Sequence, residues 1–194
     1  MEKRPYRLKQ RAAQQQETRE RIVDAAVALH EEIGPAATTI SALADRAGVQ
    51  RLTVYRHFPD EAGILQACSS KWLQQHPPPD ISKFADAGAA ESTRAKLRAL
   101  FDYYRETQGM WTSLYRDLGK IAALDEIMAG FDEYLDAFAG SVLSDWAPLK
   151  SKGLRATIHH AIRFSTWQSL NEQKLARSAM VKLVTSWIEA AAAH

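Results

Sequence analysis

Apolar residues recur at helical spacing along most of the chain. Ile22, Ala26, Leu29 and Ile33 share one face of a helix with about 3.6 residues per turn, which predicts a first helix from about Gln14 to Ile33. Nowhere do apolar and polar residues alternate with the enrichment in β-branched side chains that is typical of strands. The pattern therefore predicts an all-α protein of about nine helices.

Glycine and proline residues divide these helices. Gly34-Pro35 ends the first helix, and Gly48-Val49 forms a turn between two short ones. The stiff run His76–Pro79 is non-helical and marks the expected domain boundary. The predicted helices after the first cover about Ile40–Ala47, Arg51–His57, Glu61–Gln75, Thr93–Gln108, Met110–Leu118, Leu124–Trp146, Ser151–Leu170 and Gln173–Ala192.

The positive charge of the chain is concentrated at its N-terminus. The chain has a net charge of +2, whereas residues 1–16 hold five basic residues and one acidic residue and so contribute +4. The remainder therefore has a net charge of −2. Such a segment suits contact with phosphates, although a solvated tail has the same composition. We expect residues 1–13 to form a flexible basic arm.

Composition argues against several classes of protein. Hydrophobic residues make up 46% of the chain and charged residues 25%, and no apolar run approaches the roughly 20 residues that span a bilayer. The N-terminus lacks the apolar core of a signal peptide, so we expect a cytoplasmic protein without a membrane partner. Cys68 is the only cysteine and cannot form an internal disulfide or a thiolate metal site.

Catalytic and cofactor-binding motifs are missing from the sequence. His159 and His160 are adjacent, so they point in different directions on a helix and do not form a metal pair. The chain has no glycine-rich phosphate loop and no defensible Ser-His-Asp set. We therefore expect no enzyme activity, no metal and no cofactor.

Residues 38–58, TTISALADRAGVQRLTVYRHF, form two short amphipathic helices that meet at a glycine. The apolar residues expected to face inward are Ile40, Leu43, Ala44, Ala47, Val49, Leu52, Val54, Tyr55 and Phe58. Helices this short are unstable alone, so both must pack on the first helix as a three-helix unit. Such a unit can place its last helix in the major groove of DNA, although a plain helical bundle with surface charges is the alternative.

The outer side of the second short helix is polar. Its outward side chains are Gln50, Arg51, Thr53 and Arg56. Arginine can pair with guanine and glutamine with adenine, while threonine can touch a thymine methyl group or a phosphate. Tyr55 and His57 can donate hydrogen bonds to phosphates. These residue types indicate DNA recognition.

The same segment resembles the TetR family of regulators. The resemblance rests on Thr39, Ala44, Ala47-Gly48-Val49, Thr53-Val54-Tyr55 and His57-Phe58, together with a long preceding helix and a fourth helix after Pro59. It extends over about Ile22–Leu65, roughly a quarter of the chain. The C-terminal part is similar only in the number and length of its helices.

The resemblance implies an Ω-shaped, all-helical homodimer on a palindromic DNA operator. The expected domains are the arm at 1–13, a helix-turn-helix domain with a linking fourth helix at 14–76, and a ligand-binding and dimerisation domain at 80–194. Family positions put Thr38 and Thr39 at a phosphate, Gln50, Arg51 and Thr53 nearest the bases, and Tyr55 and His57 on the backbone. The arm adds Lys3, Arg4 and Arg7 as DNA-binding candidates.

Two positions depart from the family pattern. Glu61 stands where the family commonly has lysine, so mild repulsion is expected to replace one attractive interaction with a phosphate. Leu52 is bulkier than the small residue often found there and is expected to shift the recognition helix. The basic arm is expected to compensate by entering a minor groove or lying along phosphates.

The C-terminal helices are rich in large aromatic side chains. The resemblance implies a cavity there for a small-molecule effector, and such pockets are mainly apolar with a few polar groups. Aromatic residues at helical spacing also form ordinary core, which is the alternative. The candidate pocket residues are Phe101, Tyr104, Arg105, Trp111, Tyr115, Met128, Phe131, Phe164, Trp167 and Gln168.

Two apolar stripes near the C-terminus are candidates for a dimer interface. A broad apolar face on terminal helices needs a partner, and two helices from each subunit would form a four-helix bundle. The candidates are Leu154, Ile158, Ile162, Leu183, Val184 and Trp187, part of which must also belong to the intrachain core.

Three functional interpretations follow. The first is a sequence-specific transcriptional regulator, usually a repressor, that a small-molecule effector releases from its operator. The second is an architectural or protein-partnered DNA binder of the same fold, whose pocket is filled by its own side chains. The third is a ligand-binding protein that has lost DNA binding, which Glu61 supports and the basic arm opposes.

Overall fold

The computed structural model describes the backbone of residues 3–84, 88–146 and 151–193, and the side chains of those ranges from residue 8 onward. Within these ranges the chain forms ten α-helices and no strand, which confirms the all-α prediction. The helices are α1 (Lys3–Glu32), α2 (Ile40–Ala47), α3 (Arg51–His57), α4 (Glu61–Gln75), α5 (Ala89–Glu106), α6 (Gln108–Asp117), α7 (Ala122–Asp145), α8 (Lys152–Ala161), α9 (Phe164–Glu172) and α10 (Arg177–Ala192). None of these helices is long and apolar enough to cross a membrane.

The chain divides into two compact units. The first contains residues up to His76 together with Thr112–Ile127, and the second contains Pro77–Trp111 and Met128–His194. In the first unit α1 packs against α2 and α4, and α2 packs against α3. The core residues there are Ile22, Val23, Ala25, Ala26, Leu29, Leu43, Ala44, Ala47, Val54, Phe58, Ile64 and Cys68.

Helix α1 begins at Lys3, well before the Gln14 start that the apolar pattern predicts. Residues 3–16 contain no glycine, and their Gln, Ala, Lys and Arg side chains favour helix. A helix already held by packing from Ile22 onward therefore propagates toward the N-terminus. Pro5 lies in the first turn, where its missing N–H interrupts no helical hydrogen bond. The basic segment is thus helical rather than extended from Lys3 on.

The second unit is built around α5 and α10, which pack against each other, with α8 also against α10. Arg177 pairs with Asp102 at 2.7 Å and Arg94 with Glu189 at 3.0 Å, so α5 and α10 run antiparallel. Lys96 is only 2% exposed, and its ammonium group donates to the Asp145 carboxylate at 2.7 Å. This buried charge is tolerated because it is paired.

A helix predicted over Ser151–Leu170 is broken into α8 and α9. The break lies at Ile162 and Arg163, where no glycine or proline stands. The Tyr104 hydroxyl donates to the Ile162 carbonyl at 2.8 Å, and the Thr166 hydroxyl donates to the His160 carbonyl at 2.6 Å. Side-chain donors therefore replace the backbone bonds that a continuous helix would form, because a carbonyl freed in the interior needs a partner.

Four of the six candidate dimer-interface residues are wrong as interface residues. Leu154, Ile162 and Val184 have no exposed surface, and Ile158 is 1% exposed, because α8 and α10 already pack within one chain. Their stripes form intrachain core, as the alternative interpretation held. The other two candidates, Leu183 and Trp187, are partly exposed.

A histidine and a cysteine contact each other inside the first unit. The Nδ1 atom of His30 lies 3.3 Å from the Sγ atom of Cys68. Burial lowers the pKa of His30 to about 4, although the negative charge of Asp117 opposes this shift. Burial also raises the pKa of the Cys68 thiol to about 12. Both groups are therefore neutral near pH 7, and Cys68 is not a reactive thiolate.

We expect the protein to lose stability in mild acid through His30. Its pKa rises from about 4 in the folded chain to the usual 6.5 on unfolding, so the unfolded chain binds the proton more tightly between these values. The free energy of unfolding should fall by about 2 kcal/mol between pH 7.5 and pH 5 from this group. Urea unfolding of the wild type and of His30→Gln at both pH values measures the difference. The exposed His76→Gln is the control, and equal pH dependence in wild type and His30→Gln would contradict the assignment.

Candidate nucleic-acid interface

The loop between α1 and α2 is held by the end of α6. The Asp117 carboxylate accepts from the Ala36 N–H at 3.0 Å, and the Arg116 guanidinium donates to the Ile33 carbonyl at 2.7 Å. Gly34 has a φ of +88°, and a Cβ at this position would collide with the Arg116 and Asp117 side chains. The loop therefore requires glycine both for its backbone conformation and for the close approach of α6.

Asp117 is a buried carboxylate, with 2% of its surface exposed. Burial alone would raise its pKa, but the Ala36 N–H and the positive charges of Lys120 and Arg116 outweigh burial and leave the pKa below its usual value. The group is therefore ionised at neutral pH. It fixes the point at which the chain leaves α1 and enters the two short helices.

Helix α2 is capped at both ends. The Thr39 hydroxyl oxygen accepts from the Ala42 N–H at 3.1 Å, which satisfies one of the free N–H groups of the first turn. Gly48 ends the helix in the left-handed conformation, with a φ of +64°. The Thr38 hydroxyl donates to the Gly34 carbonyl at 2.8 Å. Thr38 and Thr39 thus lie together at the start of α2.

Helix α3 is held in place by Val54 and Phe58. Val54 has no exposed surface, and Phe58, just after the helix, is 3% exposed. By contrast, Leu52 is 72% exposed and Tyr55 46% exposed. The expectation that Leu52 and Tyr55 seat the helix was wrong, because a seven-residue helix presents only one turn to the core and Val54 occupies it.

The outward side of α3 is defined by the position of Val54. Successive helical residues are about 100° apart, so Leu52 and Arg56 each lie about 160° from Val54 and share one outward ridge. Arg51 is exposed beside this ridge, whereas Thr53 is partly buried and accepts a hydrogen bond from Arg56 at 3.2 Å. Arg56 was predicted to face outward and is exposed, and a helical wheel anchored on Val54 would have identified Leu52 as well.

His57 lies at the inner edge of this surface. Burial lowers its pKa, and the positive charges of Arg56 and Arg19 lower it further. His57 is therefore neutral at pH 7 and still carries an N–H that can donate to a phosphate. The Arg19 guanidinium lies over the Phe58 ring, 4.7 Å from its centroid.

A cleft of about 690 Å³ lies between α1 and α3. Its cationic wall consists of Arg11, Arg19 and Arg56, and Thr53 and His57 also line it. Three guanidinium groups around one open cleft create a site for negatively charged oxygen atoms. The candidates Lys3, Arg4 and Arg7 have side chains outside the described residues, although the backbone from Lys3 onward belongs to α1.

Glu61, whose negative charge is opposite to that of the arginines in this cleft, lies near the start of α4. Asp60 caps this helix by accepting from the Gly63 N–H at 2.8 Å, and Glu61 occupies the exposed first turn. Gln50 is the exposed residue directly before α3. The predicted nucleic-acid-binding residues with described side chains are therefore all in the first unit.

Aromatic side chains cluster in the interior of the second unit. Trp111 packs on Phe131 with ring centroids 4.1 Å apart and the rings tilted by 35°, and Tyr104 meets Phe164 edge to face at 5.4 Å. Trp167 lies 5.5 Å from Phe164. Seven of the predicted pocket residues are buried in this unit: Phe101, Tyr104, Trp111, Met128, Phe131, Phe164 and Trp167. Tyr103, which was not among the predicted residues, joins them at 6.1 Å from Trp111.

The indole N–H of Trp167 is the polar feature of this aromatic cluster. Trp167 is 1% exposed, and its Nε1 atom has no hydrogen-bond partner among the residues that the structure describes. A buried donor without an acceptor costs about 1–3 kcal/mol. An acceptor on a bound molecule would recover this free energy.

The remaining pocket candidates lie elsewhere. Arg105 is an exposed side chain that pairs with Asp102 at 3.0 Å, so it is wrong as a pocket residue. Tyr115 belongs to the first unit, and Gln168 is partly buried on α9. In the described part of the chain, no three His, Cys, Asp or Glu side chains are grouped as metal ligands.

Residues 22–68 match the family model for bacterial regulatory proteins of the tetR family. The chain is 35% identical over 97 residues to the HTH-type transcriptional regulator SrpR of Pseudomonas putida, a match that covers 50% of this chain and 44% of SrpR. It is also 35% identical over 97 residues to the uncharacterized HTH-type transcriptional regulator TtgW of Pseudomonas putida, a match that covers 50% of this chain and 70% of TtgW.

Most of the chain also has a counterpart among solved structures. The transcriptional regulator FadR from Bacillus subtilis, in complex with stearoyl-CoA, superposes with a TM-score of 0.56 over 89% of this chain and 97% of FadR. The sequence identity is 22%, so this likeness concerns the fold. The likeness in fold covers the second unit as well as the N-terminal helices.

We expect Asp117→Ala to lower the free energy of unfolding by about 1–3 kcal/mol, because the Ala36 N–H loses a charged acceptor. Asp117→Asn keeps an acceptor oxygen and should lose less. Chemical denaturation of both variants measures these changes, with the exposed Asp45→Ala on α2 as the matched control. If Asp117→Ala is no more destabilising than Asp45→Ala, the carboxylate does not hold the loop.

Proposed function

Given that the chain belongs to the TetR family of DNA-binding transcriptional regulators, we propose that it is a repressor that a small-molecule effector releases from its operator. The observation that carries the proposal is the outward ridge of α3, which is exposed, includes Arg56 and lies opposite the buried Val54. An operator with two half-sites requires a two-fold symmetric reader, so the active form proposed is a homodimer. A bacterial repressor of this kind acts in the cytoplasm, where its operator is.

The proposed contacts with DNA divide into base readout and phosphate binding. Arg51 and Gln50 at the start of α3 approach base edges, because a recognition helix enters the major groove with its N-terminal residues foremost. Thr38, Thr39, Tyr55 and His57 contact phosphates, and Thr53 supports Arg56 through the hydrogen bond between them. The neutral state of His57 suits a hydrogen bond to a phosphate oxygen without an added charge.

The basic helical extension of α1 supplies a second set of phosphate contacts. Arg11 lines the cleft together with Arg19 and Arg56, and Lys9 is an exposed basic residue two positions before Arg11. Lys3, Arg4 and Arg7 continue the same charge along the chain. We assign these residues to the DNA backbone, where they offset the repulsion that Glu61 introduces.

The effector is proposed to bind in the aromatic cluster of the second unit. The Trp167 N–H favours a molecule that carries a hydrogen-bond acceptor, and the buried aromatic rings favour an uncharged apolar body. The similar FadR was solved in complex with stearoyl-CoA, whose long acyl chain is apolar, and this supports the use of the fold for a ligand with an apolar body.

The dimer is proposed to form through the outer faces of α8 and α10, rather than through the buried parts of the two predicted stripes. Leu183 and Trp187 are partly exposed on α10, and the ring centroid of the exposed His160 on α8 lies 6.5 Å from that of Trp187. Apolar and aromatic groups that remain accessible in one chain are the ones free to pack on a second. Residues 112–127 lie inside the predicted limits 80–194 but belong to the first unit.

The alternative, an architectural or protein-partnered DNA binder, requires a different interior in the second unit. An effector-free DNA binder would fill its interior with its own side chains, and the close aromatic contacts, such as 4.1 Å between the Trp111 and Phe131 rings, favour it. The Trp167 donor, which has no acceptor in the described part of the chain, favours an effector instead. Operator affinity measured with and without a bound compound separates them, since equal affinities despite binding would reject release by an effector.

Deletion of residues 1–11 tests the phosphate role of the α1 extension. It removes five basic residues, so affinity for random-sequence duplex DNA should fall. The slope of log affinity against log salt should flatten by about 0.9 for each phosphate that the variant no longer neutralises. Arg11→Ala alone should flatten it by about 1. Arg105→Ala removes an exposed arginine of the second unit as control, and an unchanged slope in the deletion variant would reject the assignment.

Trp167→Phe tests the effector site. Uncharged apolar compounds that carry a carbonyl acceptor are screened by thermal shift on the wild-type chain, and the strongest stabiliser is titrated by calorimetry. The variant should bind it about fivefold to tenfold more weakly, because one hydrogen bond worth about 1 kcal/mol is removed. Operator affinity in its absence should not change. Trp146→Phe is the matched control, since that indole donates to Thr93 at 3.0 Å, and an equal weakening in both variants would contradict the role of Trp167.

A further inference from the structure

The outward ridge of α3 contains one apolar side chain. Leu52 is 72% exposed, the largest exposed fraction among the large hydrophobic residues described. A single exposed leucine is ordinary on a protein surface and by itself indicates nothing. Its position is what distinguishes it, because it lies nearly opposite the buried Val54 and so projects farther from the core than its neighbours on the helix.

The surroundings of Leu52 indicate what it meets. Arg51 precedes it, and Arg56 lies four residues later on the same ridge, with both side chains exposed. Arg56 is turned toward Thr53, whose hydroxyl accepts from it at 3.2 Å. An exposed apolar side chain that shares its ridge with an arginine matches a polyanion that also presents an apolar group. A hydrophobic groove on a protein partner would instead require the Arg56 charge to lose water without gaining a counter-charge.

The chemistry of the major groove offers one small apolar target. Purine N7 and O6 atoms are acceptors and the exocyclic amino groups are donors, whereas the 5-methyl group of thymine is apolar. Leucine can neither donate nor accept, so it would leave a polar base edge desolvated and unpaired. Contact with a thymine methyl group instead removes apolar surface from water on both sides.

We propose that Leu52 is a specificity-determining residue that selects thymine in each half-site by packing on its 5-methyl group. The inference rests on the proposed function, because it requires α3 to enter the major groove. Burial of one methyl group corresponds to about 0.8 kcal/mol, which is about fourfold in affinity.

The test removes the methyl group from the DNA and the leucine from the protein, separately and together. Preferred sites are first selected from a random duplex library with the full wild-type chain, and each thymine is then replaced singly by deoxyuridine. At one position per half-site this replacement should weaken wild-type binding about fourfold. Leu52→Ala should abolish that penalty at the same position and keep the penalties elsewhere. The variant should fold normally because the side chain is exposed.

Two further variants sharpen the outcome. Leu73→Ala removes an exposed leucine near the end of α4, 39% exposed, and should keep the wild-type pattern of penalties. Thr53→Ser removes the methyl group of the threonine next to Leu52 on α3. If the deoxyuridine penalty disappears in Thr53→Ser and persists in Leu52→Ala, threonine reads the methyl group and the inference is overturned.

Failure of the inference is distinct from failure of the proposed function. If selection enriches no sequence over random competitor at low salt, then α3 does not read DNA and the proposed function fails. If a site is enriched but every deoxyuridine penalty survives in Leu52→Ala, then DNA reading stands and the role of Leu52 is rejected. A penalty that disappears only in Leu52→Ala supports both.

Discussion

The packing of two very short helices against one long helix is the constraint on which this protein depends. Helix α2 has eight residues and α3 has seven, and helices of that length do not persist alone in water. They exist because Leu43, Ala44 and Val54 are buried in one core with α1. A small side chain such as Ala44 lets the helices approach closely. Every proposed contact of α3 with DNA follows from this arrangement, since it sets the direction of that helix.

The loop before α2 is a second constraint on the fold, and it is formed by polar contacts instead of apolar packing. Gly34 accepts a conformation that other residues avoid, and Asp117 from a distant part of the chain holds the Ala36 N–H. A buried carboxylate is costly unless it is hydrogen-bonded and paired, and here Lys120 and Arg116 supply the paired charges. The first unit is therefore completed by residues 112–127, which belong to the middle of the sequence. The proposed DNA-binding surface is a product of the tertiary fold rather than of its own segment.

The second unit is organised by hydrogen-bond donors in an apolar interior. The Tyr104 hydroxyl uses the Ile162 carbonyl and thereby interrupts a helix, while the Trp167 N–H has no acceptor within the described chain. One donor shapes the fold and the other is available to a ligand. This difference is the physical reason to look for the effector beside Trp167, because an unsatisfied buried donor stabilises nothing until an acceptor arrives.

The sequence by itself determined the all-helical class, the extent of α2 and α3, and the family, because these depend on local periodicity, glycine turns and a short motif around Gly48. It could not determine where α1 begins, since the basic segment has no apolar stripe and becomes helical only by extension from packed residues. Nor could it distinguish interface from core at Leu154, Ile158, Ile162 and Val184. A helix has the same apolar stripe whether that stripe packs on another helix of the same chain or on a second subunit. The burial of Val54 rather than Tyr55 in the core, the break at Ile162 and the place of Asp117 were decided by tertiary contacts between residues far apart in the chain, which no local pattern records.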